Sequence, residues 1–341
     1  MMWKTGTVAG LIAALWLGAS GAAAQTKLTF NKWLPSNNAF HADVIEPWAK
    51  AVEQATEGRV KIEFTASSLG PPPRQYDLVR SGAVDLVFSS IGYTPDRFPV
   101  SNMTSMPFLG ESSEAVSVTF WDVYQRHLEK AGEFRGVRLL GAVAGAPGQI
   151  FTAKPVRAIA DYKGMKLRSA DALLSQAISS LGAVPVFGPA PQSYEMLSTG
   201  VIEGGGYFFD AVLAFDIGRL APHVALVPGG FINGTFYIVM NEAKWRQLSE
   251  ADRKAIESVS GLAFAKAAGA RLDELEVKAK QKLLEQGLKI VEPDAAFVSE
   301  MRRLMEPIEA SYLKDAQGKG VDVPVALREL REGARSYKRG T

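Results

Sequence analysis

An α/β fold of two similarly built lobes, each a mixed or parallel sheet flanked by helices, is what the sequence predicts. Three observations carry it. Short apolar runs with strand character alternate with helix-periodic stretches along most of the chain, as sheets covered by helices require. Ten positions from Tyr76 to Asp85 align without a gap on Tyr194 to Glu203, each identical or similar except Arg80 against Ser198. Removing a 24-residue leader leaves 341 − 24 = 317 residues, room for two domains at roughly 100–200 residues each.

The leader is read from Lys4, an apolar run from Val8 to Leu17, and Ala22-Ala23-Ala24 before Gln25, the pattern of a cleavable secretory signal peptide over residues 1–24. Its apolar run is shorter than the roughly 18 residues a membrane span needs, and no later run approaches that length. The mature chain is therefore expected in the periplasm and not inserted in a membrane.

The first lobe opens with a strand from Lys27 to Phe30, a turn at Pro35 to Asn38, and a helix carrying Ile45, Trp48, Ala49 and Val52. Pro47 either opens that helix or kinks it. Gly58 ends it, Val60 to Phe64 is the next strand, and the loop Gly70 to Pro73 leads to a short helix, Gly82 and a strand reaching Phe88. A helix around Val118, Trp121, Tyr124 and Leu128 and a strand from Val137 to Gly141 follow. The small residues from Ala142 to Gly148 then let the backbone approach a ligand closely.

The second copy repeats the plan: a strand at Met165, a helix with Leu174, Ala177, Ile178 and Leu181, Gly182, a strand from Val184 to Phe187, and the loop Gly188 to Pro191. Phe236 to Met240 is a buried-type strand. From Ser249, with Glu250 and Asp252 in its first turn, one helical stretch runs to about Gln286, long enough to lie across both lobes, and Gly287 stops it. Leu288 to Val291 is a last strand, followed by helices around Met301, Leu304, Met305 and Ile308. The expected division is 25–148 plus about 233–272 for the first lobe and 149–232 plus about 273–341 for the second, with the ligand cleft between them.

Arg168 ends the strand of the second copy, and Ser169 or Asp171 caps the helix after it. The carboxyl ends of strands are where open α/β sheets bind ligands. A guanidinium there offers a planar fork that grips a carboxylate in two places, as an ammonium does not. A surface arginine paired with a neighbouring acid is the competing reading. Through the repeat, Lys32-Trp33 corresponds to Arg168-Ser169 and Ser89-Ser90 to Tyr207-Phe208, so all four stretches are expected to line one pocket. The candidate ligand-binding residues are Arg168, Gln149, Tyr207, Phe208, Trp33, Asn37, Ser89 and Ser90, with His41 a lesser candidate nearby.

Charge and composition exclude other chemistries. The balance is 38 − 36 = +2 with acids and bases interspersed, which does not suit nucleic acid. Cysteine is absent, removing disulfides, thiolate catalysis and Cys-based zinc sites together. His41, His127 and His223 form no His-x-x-x-His pair, the mature chain has no Gly-x-Ser-x-Gly elbow and no P-loop, and Gly204-Gly205-Gly206 lacks dinucleotide-binding spacing. No cofactor and no metal are expected. An exported α/β enzyme acting on a small acid stays open as an alternative, resting on acid pairs such as Asp210 and Asp216.

Several landmarks together resemble the substrate-binding proteins of tripartite ATP-independent periplasmic (TRAP) transporters, the DctP-like family. They are Gly58-Arg59-Val60-Lys61-Ile62, Ser81 to Asp85, Met106-Pro107-Phe108, Gly164-Met165-Lys166-Leu167-Arg168, Thr199 to Glu203, and Asn241 to Trp245 before Leu248-Ser249. The resemblance covers nearly the whole mature chain. It implies a class II-like, two-lobed periplasmic binding protein that closes on an organic acid and hands it to the TRAP membrane permease subunits, without catalysis; a monomer is expected, though the sequence leaves the oligomeric state open. Arg168 falls on the family's carboxylate-clamping arginine. The binding protein of an ATP-driven (ABC-type) importer is the alternative with a similar fold.

Two departures from the family pattern matter. Gln149 stands where many members have a second arginine, and Gly204 to Phe209 replaces a polar Gly-Gln-Glu-Asn run. Fewer cations and more aromatic surface favour one carboxylate on an aromatic or bulky body over a small dicarboxylate. The competing reading is that Tyr207 to Phe209 pack in the core of the second lobe.

Overall fold

The computed structural model describes residues 25–338, so the signal-peptide reading of residues 1–24 lies outside the described residues. In chain order the first lobe contributes β1 (Thr26–Asn31), α1 (Glu46–Ala55), β2 (Val60–Phe64), α2 (Gln75–Arg80), β3 (Leu86–Ser90), α3 (Ser113–Val123) and β4 (Val137–Ala144). The chain then crosses and builds β5 (Gln149–Thr152), β6 (Lys166–Ser169), α4 (Ala172–Ser180), β7 (Val184–Phe187), α5 (Ser193–Ser198), β8 (Gly204–Tyr207), α6 (Phe209–Ala214) and β9 (His223–Ala225). It returns through β10 (Thr235–Asn241), α7 (Glu242–Gln247), α8 (Glu250–Ser258) and α9 (Gly261–Glu285), and ends with β11 (Lys289–Val291), α10 (Ala295–Asp315) and α11 (Val323–Ser336).

The strand orders show the repeat directly. One sheet runs β2-β1-β3-β10-β4 and the other β7-β6-β8-β5-β9-β11. In each, a central strand pairs parallel with two neighbours, and a strand arriving from the other lobe adds antiparallel: β10 on β3, β5 on β8. Each sheet thus borrows a strand whose connection crosses the seam. The two crossings run side by side, with Gly145 N–H bonded to the Gly234 carbonyl at 2.9 Å and Gly148 and Ile232 bonding each other's backbone.

Side-chain alternation along β3 and β10 sends Leu86, Phe88, Ile238 and Met240 into one core with Trp48, Val52 and Phe264, and Val87, Tyr237 and Val239 into the core on the other face. Both faces of this sheet are therefore covered. The N-terminus of α4 is capped as the sequence suggests, by Asp171 accepting the Leu174 N–H at 2.9 Å. Pro47 sits in the first turn of α1, where its missing N–H costs least, just after a wider helical turn over Phe40–Ile45.

One expectation needs correction. The stretch from Ser249 to Gln286 is two helices, because Gly261 adopts φ +57° and turns the chain between α8 and α9. Further along, α10 lies on α4, and α11 packs on α3, where Gly333 leaves room for Thr119. The amphipathic face of α11, with Val323, Ala326, Leu327, Leu330 and Ala334 buried, is what draws it there.

Candidate functional site

Between the lobes lies a cavity of about 70 Å³, several times what one water requires. Trp33, Phe40, Phe88, Ser90 and Tyr93 wall it from the first lobe, Arg168, Asp171, Tyr207 and Phe208 from the second, and Ile232, Asn233 and Phe236 from the return crossing and β10. The lobes touch around it. Ala190 N–H donates to Tyr93 Oη at 3.4 Å, and the rings of Phe208 and Phe236 stand 6.3 Å apart.

Arg168 reaches this cavity because β6 ends there and its neighbour β8 is bare. Gly205 lies opposite Arg168 in the parallel register, and a Cβ at Gly205 would sit 2.6 Å from Arg168 Cβ. Arg168 is 4% exposed. Its Nε donates to the Gly188 carbonyl at 2.7 Å and Nη1 to the Gly206 carbonyl at 2.8 Å, while Cζ lies 5.2 Å from the centre of the Tyr207 ring. Two of five N–H donors are thus used, and three remain. No carboxylate of the described residues forms a salt bridge with it, and it is the only Lys or Arg among the cavity's described lining residues. The competing surface ion pair does not fit a group this buried.

Asp171, which lines the cavity, is an acid to weigh against that cation. Burial pushes its carboxyl up from the usual carboxylate range, opposed by the Leu174 and Leu173 N–H groups, the Ser105 hydroxyl and the charge of Arg168. Burial likewise raises the Tyr207 hydroxyl, with Arg168 pulling the other way. Both shifts run toward the neutral forms.

The predicted residues divide clearly. Arg168, Tyr207, Phe208, Trp33 and Ser90 come together on the cavity wall. Trp33 is oriented by its Nε1–H, which donates to the Phe88 carbonyl at 2.7 Å, and by an edge contact with Tyr93. Asn37 instead lines an outer depression with Asp43 and Lys278, and Asn38, one residue on and 3% exposed, faces the cavity in its place. Ser89 points away, its hydroxyl donating to the Pro72 carbonyl, as strand alternation from Ser90 requires. Gln149 lies outside the lining because its amide is consumed: Nε2 donates to the Val227 carbonyl and Oε1 accepts the Val227 N–H, both at 3.0 Å. His41 rests against Glu46 and Phe64, and burial lowers its pKa.

The small-residue crossing also serves a different end from the one expected. Cβ atoms at Gly145 and Gly148 would lie 2.2 and 2.9 Å from the Phe208 ring, so these glycines make room for a side chain of the cavity wall and not for a ligand directly. Missed by sequence reasoning were Tyr93, Asp171 as a wall residue, Phe40, Phe88, Asn233 and Phe236. Phe88 and Phe236 carried a signal, as the last and first residues of apolar strands, and Asp171 carried one as a helix cap.

Comparison with known proteins places this geometry. The profile of the DctP family, described as bacterial extracellular solute-binding protein, family 7, matches residues 30–315. The outer membrane transporter protein TsaT of Comamonas testosteroni is 34% identical over 321 residues, 94% of each chain. A TRAP periplasmic solute-binding protein from Bordetella bronchiseptica, solved with bound (R)- and (S)-mandelate, is 35% identical with a TM-score of 0.87, over 91% of this chain and 98% of its own. A TRAP solute-binding protein from Rhodoferax ferrireducens, solved with copurified benzoate, is 26% identical with a TM-score of 0.85 over the same shares. The family is one of solute receptors and not of enzymes. With its two mixed sheets, strand-exchanged lobes and enclosed cavity, the chain belongs to the DctP family of bacterial extracellular solute-binding proteins, those of TRAP transporters.

Proposed function

We propose that this receptor works in the periplasm, binds a single-ring aromatic monocarboxylate with Arg168 as its carboxylate clamp, and delivers it to the membrane permease of a TRAP transporter. The observation that carries the reading is Arg168 itself: buried, held by two backbone carbonyls, with three donors left and no acid paired to it among the described residues. Around it the walls are aromatic, and no second cation lines the cavity to match a second carboxylate. Mandelate and benzoate in similar proteins agree in chemical class. No described helix is long and apolar enough to cross a membrane, consistent with a partner that supplies the membrane path.

A thermal-shift screen over benzoate, mandelate, short 2-oxo acids, succinate, malate and fumarate tests the ligand class. Aromatic acids are expected to give the largest shifts, and a dominant response to a four-carbon dicarboxylate would contradict the reading. Removing one partner of a desolvated charge pair costs about 2–5 kcal/mol, so Arg168→Ala is expected to weaken binding roughly 30-fold to several thousand-fold. Arg168→Lys keeps the charge but loses the fork, and recovers only part. Arg157, exposed on the outer surface, is the control. Unchanged calorimetric affinity in Arg168→Ala, or an equal loss in Arg157→Ala, would remove the clamp.

A further inference from the structure

Two buried asparagines on the cavity wall each keep one end of the side-chain amide without a protein partner. Asn38, between β1 and α1, accepts the Phe40 N–H on Oδ1 at 3.0 Å, and its Nδ2 has no acceptor among the described residues. Asn233, on the return crossing, donates from Nδ2 to the Met106 carbonyl at 3.1 Å, and its Oδ1 has no donor among the described residues. The bonded end of each amide settles which end is free. Tyr207 Oη and Asp210 Oδ2 also lack partners but are enclosed by protein, whereas the free ends of Asn38 and Asn233 keep accessible surface. Beside the Arg168 fork, the aromatic walls thus hold one free amide donor and one free amide acceptor.

These free ends bear on what the cavity selects. A bare aromatic ring that fills the space takes water from both amides and gives neither a partner, and a buried polar group left unpaired is costly. A site built with such groups discriminates strongly against a ligand that lacks their partner. A second carboxylate cannot answer Asn233 Oδ1, since both are acceptors, and a keto or ether oxygen answers Asn38 alone. A hydroxyl both accepts and donates, so it suits either asparagine. Arg168 stands in the second lobe and Asn38 in the first, so a hydroxy acid held by both is gripped from each side of the cleft.

We propose that the ligand carries a hydroxyl as well as its carboxylate, and that Asn38 and Asn233 select it. This rests on Arg168 as the carboxylate clamp and narrows the ligand class stated above to hydroxylated acids. Ordered water kept on the two amides is the competing arrangement, in which a hydroxyl brings no advantage.

The test measures calorimetric affinity of the full chain for acids that differ by one hydroxyl: benzoate against the hydroxybenzoates, phenylacetate against mandelate, and succinate against malate. In at least one pair the hydroxy acid is expected to bind about 5- to 100-fold more tightly. Asn38→Ser keeps an oxygen for the Phe40 N–H and withdraws the NH₂, and Asn233→Ala removes the acceptor. Should Asn233→Ala not fold, Asn233→Ser takes its place, because its hydroxyl can still donate to the Met106 carbonyl. The advantage is read as a ratio within a pair, so that general losses of affinity cancel, and it is expected to fall below about twofold in at least one variant. No gain in any pair for the parent would overturn the proposal. So would a gain that survives both variants, as it would if Asp171 took the hydroxyl instead. A gain for malate over succinate in a protein that ignores aromatic acids, lost in the variants, would refute the ligand class and leave the two asparagines standing. A parent that binds none of these acids would overturn both readings.

Discussion

Phe208 is held in the cavity wall by an absence beside it. A methyl group at Gly145 would come within 2.2 Å of the ring, which Gly148 also adjoins, so the ring has to move to make room for it. Gly145→Ala is therefore expected to push Phe208 into the cavity. Overpacking of this kind costs about 1–3 kcal/mol, so the urea midpoint should fall, and benzoate affinity should fall with it. A variant with reduced stability and unchanged affinity would show that Phe208 does not shape the bound state. The site was legible in the sequence where a residue's surroundings are local. Arg168 stands at a strand end that its own neighbours define. Gln149 was not legible, because its amide answers Val227, 78 positions away. Asn37 and Asn38 differ only in which one a turn directs inward, and the turn's geometry is decided by the His41 and Ala42 N–H groups bonding the Asn38 carbonyl.

At the scale of elements, the sequence carried most of the strands that are built from apolar residues and lost three, β5, β8 and β9. Three of the four residues of β8 are glycine, poor strand formers whose place is set by β5 and β6 on either side. The break between α8 and α9 escaped for a similar reason. Ser260-Gly261 is too weak a signal to end a helix by itself, and the turn is fixed by Trp121 on α3, whose Cζ2 would lie 2.9 Å from a Cβ at Gly261. A side chain forced into φ +57° costs about 1–2 kcal/mol, and the Trp121 contact adds to it. Gly261→Ala should lower stability by at least that much in chemical unfolding. If it were neutral or stabilising, α8 and α9 would be free to fuse into the single helix that periodicity suggests.

For the whole molecule, the consequence of two exchanged strands and one shared helix is that the lobes cannot move independently, yet they meet across the cleft through few contacts. Tyr93 with Ala190 and Phe208 with Phe236 close the entrance on the side of the walls. If the ligand is the proposed aromatic acid, its entry requires these contacts to part, and binding then closes the half-buried rings of Trp33 and Phe208 over it. Removal of that apolar surface from water is marked by a negative heat-capacity change. Calorimetric titration with benzoate at several temperatures should therefore give an enthalpy that becomes steadily more favourable on warming. Arg168→Lys should keep most of that slope while losing affinity, since the guanidinium contributes charge and geometry and the rings contribute area. An enthalpy independent of temperature in the parent would mean that the cleft does not close on its ligand. A slope abolished by Arg168→Lys would instead mean that closure depends on the clamp, with the aromatic walls following it.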